Sequence, residues 1–475
     1  MSFLFSKENW KLFSRKTKSF WEDYRRNKIG LVGLATILIY ILLAIIGPWI
    51  TPYEPLRDTR LAQSFSMPEW VCILPQYADF PRTSNTAIYW NLDEKSPLID
   101  AQWGEQIVVN YLGGATKTAH IYLTANFTYA HDVPPKTFHI TFDWAAETAK
   151  NLTYSINIGM IRQNGTVQRL WWTDSNKPDG GDAFLNSQGI DLLNRLGLDP
   201  LKDNLAKMIF SGKGEYGLLL HIMFIPTSKD AACKIRIADG ELRILGLVHG
   251  VLGTDHSGRD VYSQLTSGIR ISLEIGLLAA VLSTSIGVVV GVASGYVGGF
   301  VDEISMRTVD VLLCLPVLPL LLTLMFIYGR SPYYLILIIA IFWWLGLARV
   351  VRSQTLSLRE MPFIDCARAA GAGRFYIMFR HIIPNVLPVA FASMVLAVPG
   401  AIITEASLSF LGFGDPSTPT WGRMLNEAFN YGAFTQMAWW WIFPPGVAIV
   451  GLCLAFVFVG HAVDEVANPR LRRRR

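Results

Sequence analysis

Six stretches of this chain, at about 29–50, 271–296, 309–328, 333–350, 386–411 and 441–463, are long and apolar with few charges. A helix needs roughly 20 apolar residues to cross the hydrocarbon of a bilayer, where every backbone polar group must be satisfied internally. The stretches therefore read as spanning helices of an α-helical membrane protein. A content of 51% hydrophobic and 17% charged residues, with a mean hydropathy of +0.31, agrees. The first run is too long for a secretory signal core, lacks an evident small-residue cleavage site and follows a basic arm of 28 residues, so it reads as a retained anchor.

Orientation follows from Lys and Arg near the helix ends. The arm, 1–28, carries Lys7, Lys11, Arg15, Lys16, Lys18, Arg25, Arg26 and Lys28, and the tail, 464–475, carries Arg470 and Arg472 to Arg475. Both termini are expected to be cytoplasmic. Six crossings then bring Arg349, Arg352, Arg359, Arg368, Arg374 and Arg380 to the same side. The net charge of +5 thus reflects membrane topology rather than a nucleic-acid groove. Trp10, Phe13, Phe20, Trp21 and Tyr24 recur at helical spacing in the arm, as in an interfacial amphipathic helix.

The same count leaves 51–250 outside the membrane, enough for a domain with its own core. Its pattern changes to period two. In "TFHITFDWAA", Phe138, Ile140, Phe142 and Trp144 alternate with polar residues, and "AHIYLTANFTY" does likewise. Asn164-Gly165 and Asp239-Gly240 stand between short strands as hairpin signals. The expectation is an inserted, mainly antiparallel, sandwich-like β domain, with a helix or two in "GIDLLNRLGLDPLKDNLAKMIF" broken near Asp199-Pro200. Cys72 and Cys233 are its only cysteines and are a candidate disulfide, whereas Cys314 and Cys453 fall in spans. Asn126, Asn151 and Asn164 open three candidate glycosylation sequons. Trp70, Trp90, Trp103, Trp171 and Trp172 are available either to the core or to docking, and the last two must point to opposite faces of a regular strand.

Between the fourth and fifth runs lies "DCARAAGAGRFYIMFRHIIPNVLP", residues 365–388. The region 359–384 is too polar to span, and it has helix formers on both sides of Gly371-Ala-Gly373. It reads as two short cytoplasmic helices with a glycine bend, which a soluble partner can grip in a groove.

This stretch resembles the coupling signature of binding-protein-dependent ABC importer permeases, Glu-Ala-Ala, then a glycine, then Ile-x-Leu-Pro. Asp365, Cys366 and Ala367 stand at the first three places, Gly371 at the glycine and Ile383-Pro384 at the end, with His381 in place of an aliphatic residue. "LGTDHSGRDVYSQLTSGIRISLEIG", "EASLSFLGFG" and "NPRLRRRR" strengthen the likeness to the second, C-type permease subunit of the dipeptide, oligopeptide and nickel class. It covers the first span and residues 253–475, with 251–463 as the permease core, and omits 51–250.

The resemblance implies a six-helix type I core forming half of a heterodimeric pathway in the cytoplasmic membrane. It implies as partners a homologous permease, two ATPase subunits holding ATP and Mg, and an extracytoplasmic solute-binding protein. Asp365 and Arg368 would make polar contacts with an ATPase, Ala367 and Gly371 would allow close approach, and Gly371 and Gly373 would form the bend. No phosphate-binding G-x-x-x-x-G-K-[ST] loop occurs in this chain, so no nucleotide cofactor is expected on it. Expected cargo is peptides first, then oligosaccharides.

Several polar residues carry two readings. Glu405 either pairs within the dimer or lines the pathway. Arg307 and Asp310 read as a helix-end pair or as anchors, and Asp255, His256 and Asp260 as helix-capping groups rather than a metal site. The alternative to a transport subunit is a membrane-anchored surface protein whose β domain binds glycans or a partner. A hydrolase has no catalytic constellation in its favour.

Overall fold

The computed structural model describes residues 21–104, 106–238 and 240–467. The chain divides into two compact units, 58–260 and the remainder. The greater part of the amphipathic arm and the basic tail from 468 onward lie outside the described residues.

The membrane unit begins with α1 (Lys28–Ile50), capped by the Asn27 side chain, which accepts from the Gly30 N–H. After the insertion come α4 (Val261–Val297), α5 (Gly299–Leu313), α6 (Val317–Tyr328) and α7 (Pro332–Arg359). Then follow α8 (Pro362–Ala369), α9 (Arg374–Ile377), a π-helical turn (Met378–Ile382), α10 (Ile383–Phe410), α11 (Trp421–Asn430) and α12 (Trp439–Ala467). Among the described residues five stretches are long and apolar enough to span, namely α1, α4, α7, Arg374–Phe410 and α12.

The third expected span is different. It is a pair, α5 and α6, bent by 90°. Pro316 caps α6 and Pro319 lies within its first turn, so the helix cannot run through the intervening residues. Arg307 and Asp310 do not pair with each other. Arg307 holds Glu303 at 3.2 Å, while Asp310 bonds Arg349 on α7.

α4 packs against α7 along a seam of small residues. A Cβ on Gly287 would stand 3.1 Å from the Trp344 carbonyl oxygen, one on Gly291 2.7 Å from that of Ala348, and one on Gly295 2.8 Å from that of Arg352. Spacing of four places all three on one helix face, the small-xxx-small arrangement that lets two backbones touch. Asp302 on α5 clamps Arg352 on α7 with two bonds of 2.5 and 2.6 Å.

The inserted unit is a sandwich of two antiparallel sheets. One carries β1 (Ser84–Ile88), β12 (Gly240–Ile244), β6 (Phe138–Lys150), β11 (Ala232–Ala238), β4 (Gln106–Tyr111) and β3 (Ile99–Gln102) in that order, with β9 (Asp179–Asn186) also on β6. The other carries β2 (Asn91–Lys95), β5 (Ala119–Tyr129), β10 (Gly214–Pro226), β7 (Leu152–Ile161) and β8 (Val167–Ser175). Phe138, Ile140, Phe142 and Trp144 fill the core with Tyr154, Ile156, Leu220 and Phe224 from the facing sheet. α2 (Ile190–Arg195) and α3 (Leu205–Ile209) flank Asp199-Pro200.

Asn164-Gly165 turns β7 into β8 as a hairpin. Asp239-Gly240 does not reverse the chain. β11 and β12 both pair with β6, one after the other, and Asp239 itself lies outside the described residues. Long-range pairing to β6 overrides the local turn signal there.

The expected Cys72–Cys233 disulfide is absent, and both are free thiols. Cys233 points from β11 into the core at 3% exposure, and burial pushes its thiol up to about 12. Cys72 sits in the 3-10 turn Glu69–Ile73, only partly buried. Trp90 is a core residue, Trp70 and Trp103 are exposed, and Trp171 packs on the core. Trp172 carries the Arg169 guanidinium 4.2 Å from its ring centroid. Asn126, Asn151 and Asn164 are all exposed.

Candidate coupling site

Residues 361–384 leave α7 and return to α10 through three short helical pieces. Pro362 at the first position of α8 supplies the fixed φ of a helix start and ends the run of α7. α8 closes with a Schellman turn, in which the Ala372 N–H donates to the Ala367 carbonyl and the Gly371 N–H to that of Arg368. Gly371 at φ +81° supplies the left-handed residue the turn requires. The expected glycine bend is thus a helix terminus, with Gly373 opening α9 as its N-cap.

One side of this segment is anchored. Ile364, Ile377, Met378, Ile382 and Val386 are buried with Val288, Val292 and Tyr296 of α4 and Val351 of α7. Ala367 packs at the edge of that cluster. Arg368 lies 3.4 Å from Asp365, with its guanidinium 5.6 Å from the Tyr296 ring centroid, and Arg359 donates to the Tyr296 carbonyl at 3.3 Å. Arg368 is therefore partly spent inside the chain, while the Asp365 carboxylate is largely exposed. Cys366 is exposed, and Ile383 packs on the cluster beside Pro384.

The other side is open and aromatic. Phe375 is 74% exposed and Phe379 66%, with Tyr376 and Phe363 beside them. Phe375 and Phe379, four residues apart, fall on one helix face. Sequence reasoning singled out the small and polar signature residues and passed over these rings, although their spacing is legible in "RFYIMFR". His381 makes an edge contact with the Tyr376 ring and a tilted one with Phe363 in place of an aliphatic side chain. The π turn that follows widens the backbone where the segment joins α10, a device frequent at functional sites. A rigid element, with its apolar underside fixed on α4 and α7 and its aromatic upper side bare, can transmit a push to those two helices.

The matches to known proteins coincide with this unit. Residues 287–473 match the model of the binding-protein-dependent transport system inner membrane component, and 16–68 that of the N-terminal transmembrane domain of oligopeptide transport permease C. A putative peptide permease protein of Brucella suis is 39% identical over 219 residues, covering 46% of this chain and 72% of the relative. The chain belongs to the binding-protein-dependent transport permeases. Within that family it is a C-type, OppC-like subunit of an ABC importer. The oligopeptide transport system permease proteins OppC of Bacillus subtilis and Salmonella typhimurium are 37% and 41% identical over 222 and 221 residues, each covering 46% of this permease and 72% of the relative. A solved structure described by the promiscuous specificity of carbohydrate-binding modules of the β-sandwich superfamily shares 13% identity at a TM-score of 0.17, covering 37% of this permease and 60% of that chain. A likeness that slight carries no argument about the inserted domain.

Glu405, expected on a dimer contact or the pathway, is enclosed within this permease unit at 2% exposure. Its carboxylate accepts from Ser409 at 2.7 Å, one helical turn on. Its other oxygen, Oε2, is buried without a hydrogen-bond partner among the described residues, so desolvation is only partly offset inside α10 and its neighbours. Asp255 accepts from the N–H groups of Ser257 and Arg259 and pairs with the Arg259 guanidinium at 2.6 Å, which organises the turn before α4.

Proposed function

We propose that this permease forms half of the translocation pathway of an oligopeptide importer and is driven through residues 361–384 by ATPase subunits at the cytoplasmic face. One observation carries this reading: a segment anchored on α4 and α7 by Ile364, Ile377 and Ile382 presents Phe375, Tyr376 and Phe379 to the outside. Exposed rings on a short helix suit a hydrophobic groove on a soluble partner. Closure of two ATPases would push on these rings and tilt α4 and α7 together, because the glycine seam leaves them little room to slide.

Peptides are the cargo favoured by the names of the relatives, and oligosaccharides come second. ATP and Mg belong to the ATPases. A second, homologous permease completes the pathway, and a solute-binding protein delivers cargo from outside. The charge distribution supports both termini lying in the cytoplasm, with the inserted domain external.

The test is reconstitution of this chain with its second permease, two ATPases and binding protein in liposomes. ATP-dependent accumulation of a labelled oligopeptide is expected. Gly371→Pro should leave insertion intact and abolish coupled uptake, since its ring cannot adopt φ +81°. Oligosaccharide uptake without peptide uptake would redirect the cargo assignment, and full coupling in Gly371→Pro would remove the lever.

A further inference from the structure

A cavity of about 320 Å³ lies within the inserted domain, on the outer face of the seven-stranded sheet. Its floor carries His139 of β6 and Asn186 of β9, which are cross-strand neighbours, and Arg243 of β12 stands next to His139 in the same row, behind the lining. Its roof is the chain at 59–64 together with His256 and Ser257. Arg60 at the rim has φ +59°, a left-handed conformation unusual for a residue with a side chain, and its N–H donates to the Ser257 carbonyl at 3.0 Å. Its guanidinium lies 5.1 Å from the Phe184 ring centroid.

The lining contains Arg60, two histidines, two amide side chains and hydroxyls, and no carboxylate. Among the described residues neither Arg60 nor Arg243 is in an ion pair. Arg243 donates from Nη2 to the Leu61 carbonyl at 3.4 Å, and its Nε is buried without a hydrogen-bond partner among the described residues. His139 is 5% exposed, and burial together with these two guanidinium groups pushes its imidazole down to about 4. An unpaired guanidinium at the rim, with a second behind the floor, beside a neutral buried histidine and amide donors suits an anion.

We propose that this cavity is a binding subsite for the carboxylate of a small molecule, either the C-terminus of a short peptide or a free organic acid. The volume is at the lower end for ligand pockets and admits a dipeptide-sized group rather than a macromolecule. Arg60 supplies the planar fork at the rim, while Asn186, Gln188 and Ser257 supply neutral hydrogen-bonding groups inside. The site does not depend on the import reading, because binding can be measured on this chain alone.

The test uses the full chain in lipid nanodiscs and ligand-detected saturation-transfer NMR. The probes are dialanine, dialanine C-terminal amide and succinate. Dialanine should bind and its amide should not. Succinate binding as well would mark the free acid as a ligand, and dialanine binding alone would mark the peptide terminus. Arg60→Gln should weaken binding about tenfold or more, Arg60→Lys should keep the charge without the fork and fall between Arg60→Gln and the unaltered chain, and Arg169→Gln, on the other sheet, should leave it unchanged. Thermal unfolding of each variant shows whether the fold is kept. Equal binding of acid and amide, no acid binding up to about 10 mM, or a folded Arg60→Gln with unchanged affinity would overturn the site. Peptide uptake by the complete importer can persist in any of these cases, so the two readings fail separately.

Discussion

The membrane unit and the inserted sandwich are held together by opposite choices of side-chain size. α4 and α7 meet through Gly287, Gly291 and Gly295, where a methyl group would collide with backbone, whereas the two sheets meet through Phe138, Phe142, Tyr154 and Phe224. The solvent explains the difference. In lipid a large apolar side chain gains little by leaving the tails, so close backbone contact and dispersion decide packing. In water, each large apolar group taken inside contributes roughly 2–3 kcal/mol, so bulk decides.

The largest expected effect therefore lies in the sandwich. Phe138→Ala should destabilise it by about 3–5 kcal/mol, because the ring is fully buried and rigid strands on both sides cannot collapse into the void. Hydrogen exchange on the full chain should show faster exchange in β6 and its neighbours β9, β11 and β12, with α4 and α7 unchanged. Equal loss of protection in both units would mean that they share one cooperative core.

Acid should also distinguish the units. His139 titrates near 4 in the fold against 6.5 when free. Above pH 6.5 both states are neutral, and below it the unfolded chain takes up a proton that the folded one refuses. Stability is then lost as pH falls from 6.5 toward 4, by about 3 kcal/mol in all. His139→Gln should flatten that slope, measured as β6 exchange at pH 7.5 and 4.5.

The seam should respond in the reverse sense to the core, through addition rather than removal. Gly291→Ala places a Cβ 2.7 Å from the Ala348 oxygen, and overpacking of this kind costs about 1–3 kcal/mol. Lower resistance of the membrane unit to detergent unfolding, with an unaltered sandwich, is the expected outcome. At the coupling turn, Gly371→Ala meets open space and carries only the left-handed penalty of about 1–2 kcal/mol. It should reduce the ratio of uptake to ATP turnover several-fold while leaving insertion unchanged.

Legibility followed the same division. Apolar runs and period-two alternation marked both units, because each reports one face against one solvent. The coupling signature was readable as small residues at fixed spacing, and the Schellman turn at Gly371 gives that spacing its physical reason. The continuation of β11 into β12 along β6 and the row of Arg243, His139 and Asn186 were not readable. Each depends on a partner far away in sequence. The exposed Phe375 and Phe379 could have been found from their spacing of four, had the aromatic residues been weighed with the signature.

The smallest effect concerns the cysteines. Cys72 and Cys233 stand near the two ends of the inserted domain, and a bridge between them would have closed a loop worth a few kcal/mol in the chain-entropy view. The fold instead closes those ends by hydrogen bonds. Ser66 donates to the Gly246 carbonyl at 2.7 Å and Thr254 donates its hydroxyl to the Gln63 carbonyl at 2.5 Å. With both thiols free the unfolded chain carries no cross-link between these ends, so no loop-entropy contribution enters the stability. Cys72→Ala should accordingly shift stability by no more than about 0.5 kcal/mol, the range of surface substitutions, and a reducing agent should leave β6 exchange unchanged. A thiol reagent should label Cys72 in the native chain and reach Cys233 only after denaturation, since that side chain is 3% exposed and its thiol is held un-ionised by a pKa near 12. Native-state protection of Cys72 that vanishes on reduction would show that the ends are covalently joined after all, and the hydrogen-bonded closure would then be secondary.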